Sequence, residues 1–279
     1  MLKRIITGLI LAAFVVLMLY FGAANYIYID MMVLVFSIIG TYEIYHSFKK
    51  AGYIINCIPI IAVCLGIYPL WHFLGFSGLA IILAFAVVLS LAIFTFRPIM
   101  EMKDLMATIF AFLYPIGLLS LAFVLTKNYH SGVFTISFAI FLPVFADVFA
   151  YFTGSTLKGP KLCPSISPKK TISGSVGGKI GAMLCGVLFF LLFDYFKVIK
   201  AGYVPFTDNV GVSAAVFLIL GLLGGFFAEI GDLAASRLKR SLGIKDFGNI
   251  FPGHGGVLDR LDSVIFTLVL LFIALEIMY

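Results

Sequence analysis

The chain has 279 residues, 62% of them hydrophobic and 11% charged, with mean hydropathy +1.15 and a formal net charge of +6. Soluble domains are about 45–50% apolar and about 25% charged, so the composition excludes an ordinary soluble domain and indicates a membrane protein. In such a chain the basic excess reports topology rather than nucleic-acid binding.

A bilayer core takes about 20 mostly apolar residues per helix. Nine such runs follow in chain order, at 5–24, 27–46, 54–73, 77–96, 105–126, 132–153, 177–195, 211–233 and 258–278. Lys3 and Arg4 precede the first run as they would a signal peptide. The run is long for one and lacks a small-residue cleavage site, so it is read as a retained helix. The expected fold is all-α and polytopic. Sizeable polar stretches remain at 154–176, 196–210 and 234–257. With the N-terminus in the cytoplasm, sixteen of the nineteen lysines and arginines flank helices on the cytoplasmic side. Only Lys127, Lys197 and Lys200 fall on the other side. That asymmetry is the positive-inside pattern, and it puts stretches 154–176 and 234–257 on the cytoplasmic face. Residues 1–130 are read as scaffold and residues 131–279 as the region that carries the chemistry.

Cys57, Cys64, Cys163 and Cys185 show no paired spacing and read as small buried apolar residues. The four histidines are scattered without a zinc motif. The acids are more informative, because a charge at mid-bilayer costs at least ~2.5 kcal/mol. Glu43, Asp147, Glu229, Asp232, Asp259 and Asp262 lie in or at the ends of apolar runs. Asp30 and Glu276 lie near outer helix ends, where solvated interface positions are expected. Glu229, Asp232, Ser236 and Lys239 share one helical face, and Asp259 and Asp262 project together at i, i+3. Internal ion pairs, Asp232 with Arg237 or Lys239 and Asp259 with Arg260, would account for some of them. Paired acids beside basic residues at a cytoplasmic helix end also suit Mg²⁺ and phosphate. Mg²⁺ takes one or two carboxylates, keeps some water and accepts phosphate oxygens.

The segment "PGHGG", Pro252 to Gly256, reads either as a tight turn or as a loop whose N–H groups approach an anion, with His254 as a further donor. The stretch around Pro160, Pro164 and Pro168 is not a Walker A loop. Gly174 and Gly178 are separated by three residues rather than four, and Ile180 stands where Ser or Thr is required. By composition it is an ordinary basic loop, with Ser167, Lys169, Lys170 and Thr171 available to phosphate.

"SRLKRSLGIKDFGNIFPGHGGVLDRLDS", Ser236 to Ser263, resembles the signature of the CDP-diacylglycerol synthase (phosphatidate cytidylyltransferase) family. Ser236, Lys239, Arg240, Lys245, Asp246, Pro252, His254, Gly255, Gly256, Asp259, Arg260 and Asp262 fill its fixed positions. "DVFAYFTG" from Asp147 and "SPKKTISGSVGG" from Ser167 are similar to two further family segments. Ser155 and Ala235 depart from the pattern, and the first ~140 residues match only as apolar helices, Glu43 excepted.

The resemblance implies that CTP and phosphatidate give CDP-diacylglycerol and pyrophosphate in phospholipid biosynthesis. The attacking phosphate is already anionic near neutral pH, so the chemistry asks for charge neutralisation and positioning rather than a strong base. The expected site is a polar funnel in the cytoplasmic leaflet of the cell membrane. Asp232, Asp259 and Asp262 would be Mg²⁺ ligands, with a second cation as an option. Lys239, Arg240, Lys245 and His254 would bind phosphates, beside Asp147, Ser236 and the Ser167–Thr171 segment. A homodimer is an option whose contacts would fall on residues 1–130. The alternatives are a CTP-dependent lipid kinase, which would need a base, and a transporter, which would show paired broken helices.

Overall fold

The computed structural model describes residues 2–128, 132–198, 203, 205–251, 253 and 255–278. Among them are nine spans long and apolar enough to cross a membrane. They are α1 (Leu2–Ala24), α2 (Ile27–Lys50), α3 (Cys57–Leu74), α4 (Phe76–Phe96), a compound span of α5 (Met102–Phe112) and α6 (Leu121–Asn128), α7 (Gly132–Leu157), α8 (Ile172–Phe189), α9 (Val210–Ser241) and α10 (Leu258–Met278). Lipid offers no partner to a backbone N–H or C=O, so spanning segments close their hydrogen bonds internally as helices. Strands β1 (Lys161–Cys163) and β2 (Ser167–Thr171) form a short antiparallel hairpin between α7 and α8. Large apolar side chains such as Phe73, Phe96 and Ile277 stand outward, as lipid-facing residues do.

The elements differ from the apolar runs at their ends. α9 continues past the apolar run at 233 to Ser241. Ala234, Ala235, Leu238 and Arg240 are good helix formers, and Lys239 and Arg240 sit in its last turn, where cations complement the helix dipole. α8 starts at Ile172 instead of 177, because Thr171 caps it by accepting from the Gly174 N–H at 3.1 Å. α7 runs on to Leu157. The polar stretches 154–176 and 234–257 are thus shorter as loops than as sequence. The run 105–126 is interrupted by a π-turn at Leu113–Gly117 containing Pro115, whose missing N–H cannot close an α-type bond. Asp30 is completely buried rather than solvated, and Cys57 is exposed rather than buried.

The chain forms two compact bodies. One comprises Met1–Met18, Ile27–Val124 and Ser241–Arg260. In it, Asp104 belongs to a capping box with Glu101 at the start of α5 and accepts from the Ile54 N–H at 3.0 Å, fixing the approach to α3. The other comprises Leu19–Tyr26, Leu125–Arg240 and Leu261–Tyr279. Its α7, α8 and α9 approach closely on small residues, the usual means of packing helices in lipid. A Cβ at Gly186 would strike the Phe217 carbonyl oxygen, and one at Gly221 would lie 2.7 Å from that of Ala182. Phe134, Phe138, Phe189 and Phe217 pack ring on ring beside this crossing. Thr267 on α10 donates to the Ala139 carbonyl of α7 at 2.7 Å.

Gly186→Val should overpack the crossing of α8 and α9. The expected loss is about 1–3 kcal/mol, read as a lower melting temperature in detergent. A variant melting with the wild type would mean that this crossing is not close-packed.

Candidate active site

In the second body α7, β2, α8 and α9 enclose a cavity of about 390 Å³. The sequence-selected Asp147, Lys169, Lys170 and Thr171 line it, together with Ser175 and Glu229. Ser167 lies at the other end of β2, opposite Cys163. The hairpin is what brings the basic segment to the cavity: β2 carries Lys170 alongside α9, and its last residue, Thr171, starts α8.

Two ion pairs lie at this cavity. Lys170 Nζ sits 2.6 Å from Asp232 Oδ2, with both side chains partly exposed. Ser236, one turn along α9, donates to Asp232 Oδ1 at 3.3 Å. Lys179 Nζ lies 2.6 Å from Glu229 Oε2 and donates to Ser175 Oγ at 2.6 Å. Ser175 in turn donates to Glu229 at 2.8 Å. The Lys179 ammonium also lies over the Phe226 ring, 4.4 Å from its centroid, a cation–π geometry. Further along α9, Lys239 Nζ stands 3.9 Å from Asp262 Oδ2, and both side chains are largely buried. Asp262 Oδ1 accepts from the Ser263 N–H at 2.7 Å. Gly231 backs onto the Asp262 main chain, so α9 and α10 meet at the level of these acids. Asp232 therefore finds its lysine on the hairpin, and Lys239 reaches α10, instead of pairing within α9. Arg240 is exposed at the end of α9.

The first body holds the glycine loop. Asp259, in the first turn of α10, accepts from the backbone N–H groups of Phe247 and Gly256, both at 2.9 Å. Glu43 of α2 accepts from Val257 at 3.0 Å through Oε1 and from Leu258 at 2.8 Å through Oε2. The N–H groups that open α10 are thus met by a carboxylate of the chain itself, which satisfies the donors a helix start leaves unpaired. Lys245 is exposed in the same loop. His254 lies outside the described residues.

Among the described residues no three His, Cys, Asp or Glu side chains group as a metal cage. Mg²⁺ does not require one, since it binds through one or two carboxylates plus phosphates and water. Asp232 and Asp262 supply hard oxygen donors on adjoining helices, each facing a lysine. That donor set fits Mg²⁺ and does not suit a soft metal.

Sequence reasoning missed one element of the site. Lys179 reads as a topological flank, yet it lies within the α8 span and neutralises Glu229. The available signal was an acid and a base in two neighbouring apolar runs, each costly without the other. Glu43 stood out in the sequence as an acid in an apolar run, but the backbone donors it meets, Val257 and Leu258, lie more than 200 residues away.

Fold and site together define a polytopic α-helical membrane protein with a cavity to which two lysine–carboxylate pairs each contribute one member. Its sequence matches the cytidylyltransferase family over residues 2–278, and the chain belongs to that family. It is 38% identical over 161 residues to a phosphatidate cytidylyltransferase of Rickettsia felis, covering 57% of this chain and 65% of that protein. It is 40% identical over 144 residues to one of Staphylococcus aureus strain COL, covering 52% and 50%. A Brucella abortus protein of the same name is 39% identical over 142 residues, covering 51% and 47%. The matched stretch thus spans between about half and just under two thirds of these relatives' length.

Lys179→Met should leave the Glu229 carboxylate without its cation in a largely apolar setting. Removing one partner of a buried pair is costly, here by up to about 3 kcal/mol, whereas replacing both is much milder. Thermal melts in detergent should place K179M below the K179M/E229Q double variant. The reverse order would show that the pair contributes no stability.

Proposed function

We propose that this protein is a phosphatidate cytidylyltransferase of the cell membrane, using CTP from the cytoplasmic side. The observation that carries the reading is the cavity at which Lys170 meets Asp232 and Lys179 meets Glu229, in a chain of the cytidylyltransferase family. A cavity with lysines held ready by acids suits polyphosphate, and its place within a helix bundle suits a lipid co-substrate.

In the proposed reaction a phosphate oxygen of phosphatidate bonds to the α-phosphorus of CTP. The bond from that phosphorus to the β-phosphate bridge oxygen breaks, and pyrophosphate leaves with the electron pair. The nucleophile is already an anion, so the residues have to gather and neutralise charge rather than remove a proton. Lys169 and Lys170 of β2, with Lys239, Arg240, Lys245 and His254, would bind phosphate oxygens. Ser167, Thr171 and Ser236 are hydroxyl donors for the same groups, and Asp147 borders the cavity. Asp232, Asp259 and Asp262 would hold Mg²⁺, with room for a second cation, and the bound ion would screen the triphosphate and polarise the attacked phosphorus. Residues 131–279 would supply most of the chemistry and residues 1–130 the scaffold and any homodimer contacts.

Incorporation of radiolabelled CTP into lipid, with and without Mg²⁺, tests the reading. The expected result is Mg²⁺-dependent labelled CDP-diacylglycerol with stoichiometric pyrophosphate. Release of CDP with phosphorylated lipid alcohol would point to a kinase instead. Asp232→Asn and Asp259→Asn should each lower turnover by about 100-fold or more, as loss of charge positioning at a reacting centre does. Near-normal turnover in either would remove that residue from the site. For topology, Ser165→Cys at the exposed hairpin tip, in a background without the four native cysteines, should react with an impermeant maleimide only from the cytoplasmic side. Labelling from outside would invert the orientation.

A further inference from the structure

Gly248 and Gly256 flank the glycine loop, and neither has the positive φ that calls for glycine. Their backbones would accept alanine. What forbids it is one side chain: a Cβ built at either position falls on the Glu43 carboxylate. Glu43 itself is 3% exposed and receives the Val257 and Leu258 N–H groups, one on each oxygen. One turn further along α2, Ser47 donates to the Phe247 carbonyl at 3.3 Å. The Phe247 N–H donates to Asp259, which also receives the Gly256 N–H. A closed set of contacts thus runs from α2 through the loop to the first turn of α10. The polar groups are buried where leaving any of them unpaired would cost heavily.

We propose that Glu43 is a positioning residue for the cytidylyl transfer: seated in the space left by Gly248 and Gly256, it sets the α10 N-terminus and thereby the Asp259 carboxylate. The inference rests on the proposed reaction. It also assigns the loop's small residues a task distinct from binding a ligand's phosphate, because the anion at Gly256, Val257 and Leu258 is the protein's own. The fit is two-sided. Glutamine has one acceptor oxygen, so its amide nitrogen would face a backbone donor. Aspartate keeps the charge and both acceptor oxygens but is one methylene shorter, so it holds the N–H groups at longer range and restores the function only in part. The same shortening would vacate the space that a Cβ at position 248 needs.

The test uses the full-length protein in lipid–detergent micelles, with CTP and phosphatidate. Activity of the wild type establishes the reaction first, so its failure is separable from failure of the inference. Hydrogen exchange over residues 247–258 supplies a readout that does not depend on turnover. Glu43→Gln should speed exchange in that segment and lower kcat by about 100-fold, the order expected from an ångström-scale displacement of a reacting group. KM for CTP should change far less. Gly248→Ala should do the same, with a lowered melting temperature but the elution volume of the folded wild type. The G248A/E43D double variant should recover at least about tenfold of the kcat lost in G248A, because the shorter acid admits the new methyl group. The proposal is overturned if E43Q exchanges like wild type across 247–258. It is equally overturned if G248A is fully active, or if the double variant is no better than G248A. Should E43Q not fold, the G248A and G248A/E43D pair decides the question alone.

Discussion

A carboxylate drawn into an apolar helix bundle must be met by a donor, and much of this structure follows from that requirement. The cost of an unpartnered charge is large enough to dictate where helices meet. Glu229 brings Lys179 and Ser175 of α8 against α9. Asp232 holds the hairpin to the same helix through Lys170. Asp262 faces Lys239 where α9 approaches α10. Glu43 takes up the opening N–H groups of α10. The apolar surface supplies the bulk of the helices' affinity for lipid but has little directional preference, so these polar contacts do more to specify which faces come together.

Small residues make the contacts reachable. Side chains as short as serine and aspartate bridge two helices only when the backbones nearly touch, and the glycines of α8 and α9 allow that approach. The cavity is a product of the same arrangement. α7, α8 and α9 approach closely at their glycines, and the hairpin lines the end of the cavity with Lys169, Lys170 and Thr171. A short strand pair in an otherwise helical chain thus delivers charge to the cavity.

The helices were legible in the sequence because twenty apolar residues in a row have few alternatives in a bilayer. Their ends were less so. α9 outruns its apolar stretch because helix propensity and terminal lysine and arginine favour continuing into water, a preference that a hydropathy window does not register. The hairpin was invisible for the opposite reason, since "KLCPSISPKKT" lacks the alternation that marks a strand and its pairing is set by the helices on either side. Among the site residues, Asp232, Lys170, Lys239 and Asp262 could be picked out by type and spacing, but their partners could not. Asp232 and Lys170 are far apart in the chain, and so are Glu43 and the loop it supports. Spacing rules act over one or two turns of helix, and contacts across such separations lie beyond their reach.

The electrical balance of the cavity region has its own consequence. Lys169, Lys170 and Lys179 are matched there by Asp147, Glu229 and Asp232, three positive groups against three negative. A region that is neutral overall projects little long-range field and does not draw anions in from a distance as a bare basic cleft does. It behaves as an ion exchanger: an incoming anion gains a lysine only as a carboxylate gives it up, and the released carboxylate is then best satisfied by a cation arriving with the anion. Under the proposed function, such a site would suit a polyphosphate that arrives with its own cation better than a bare anion.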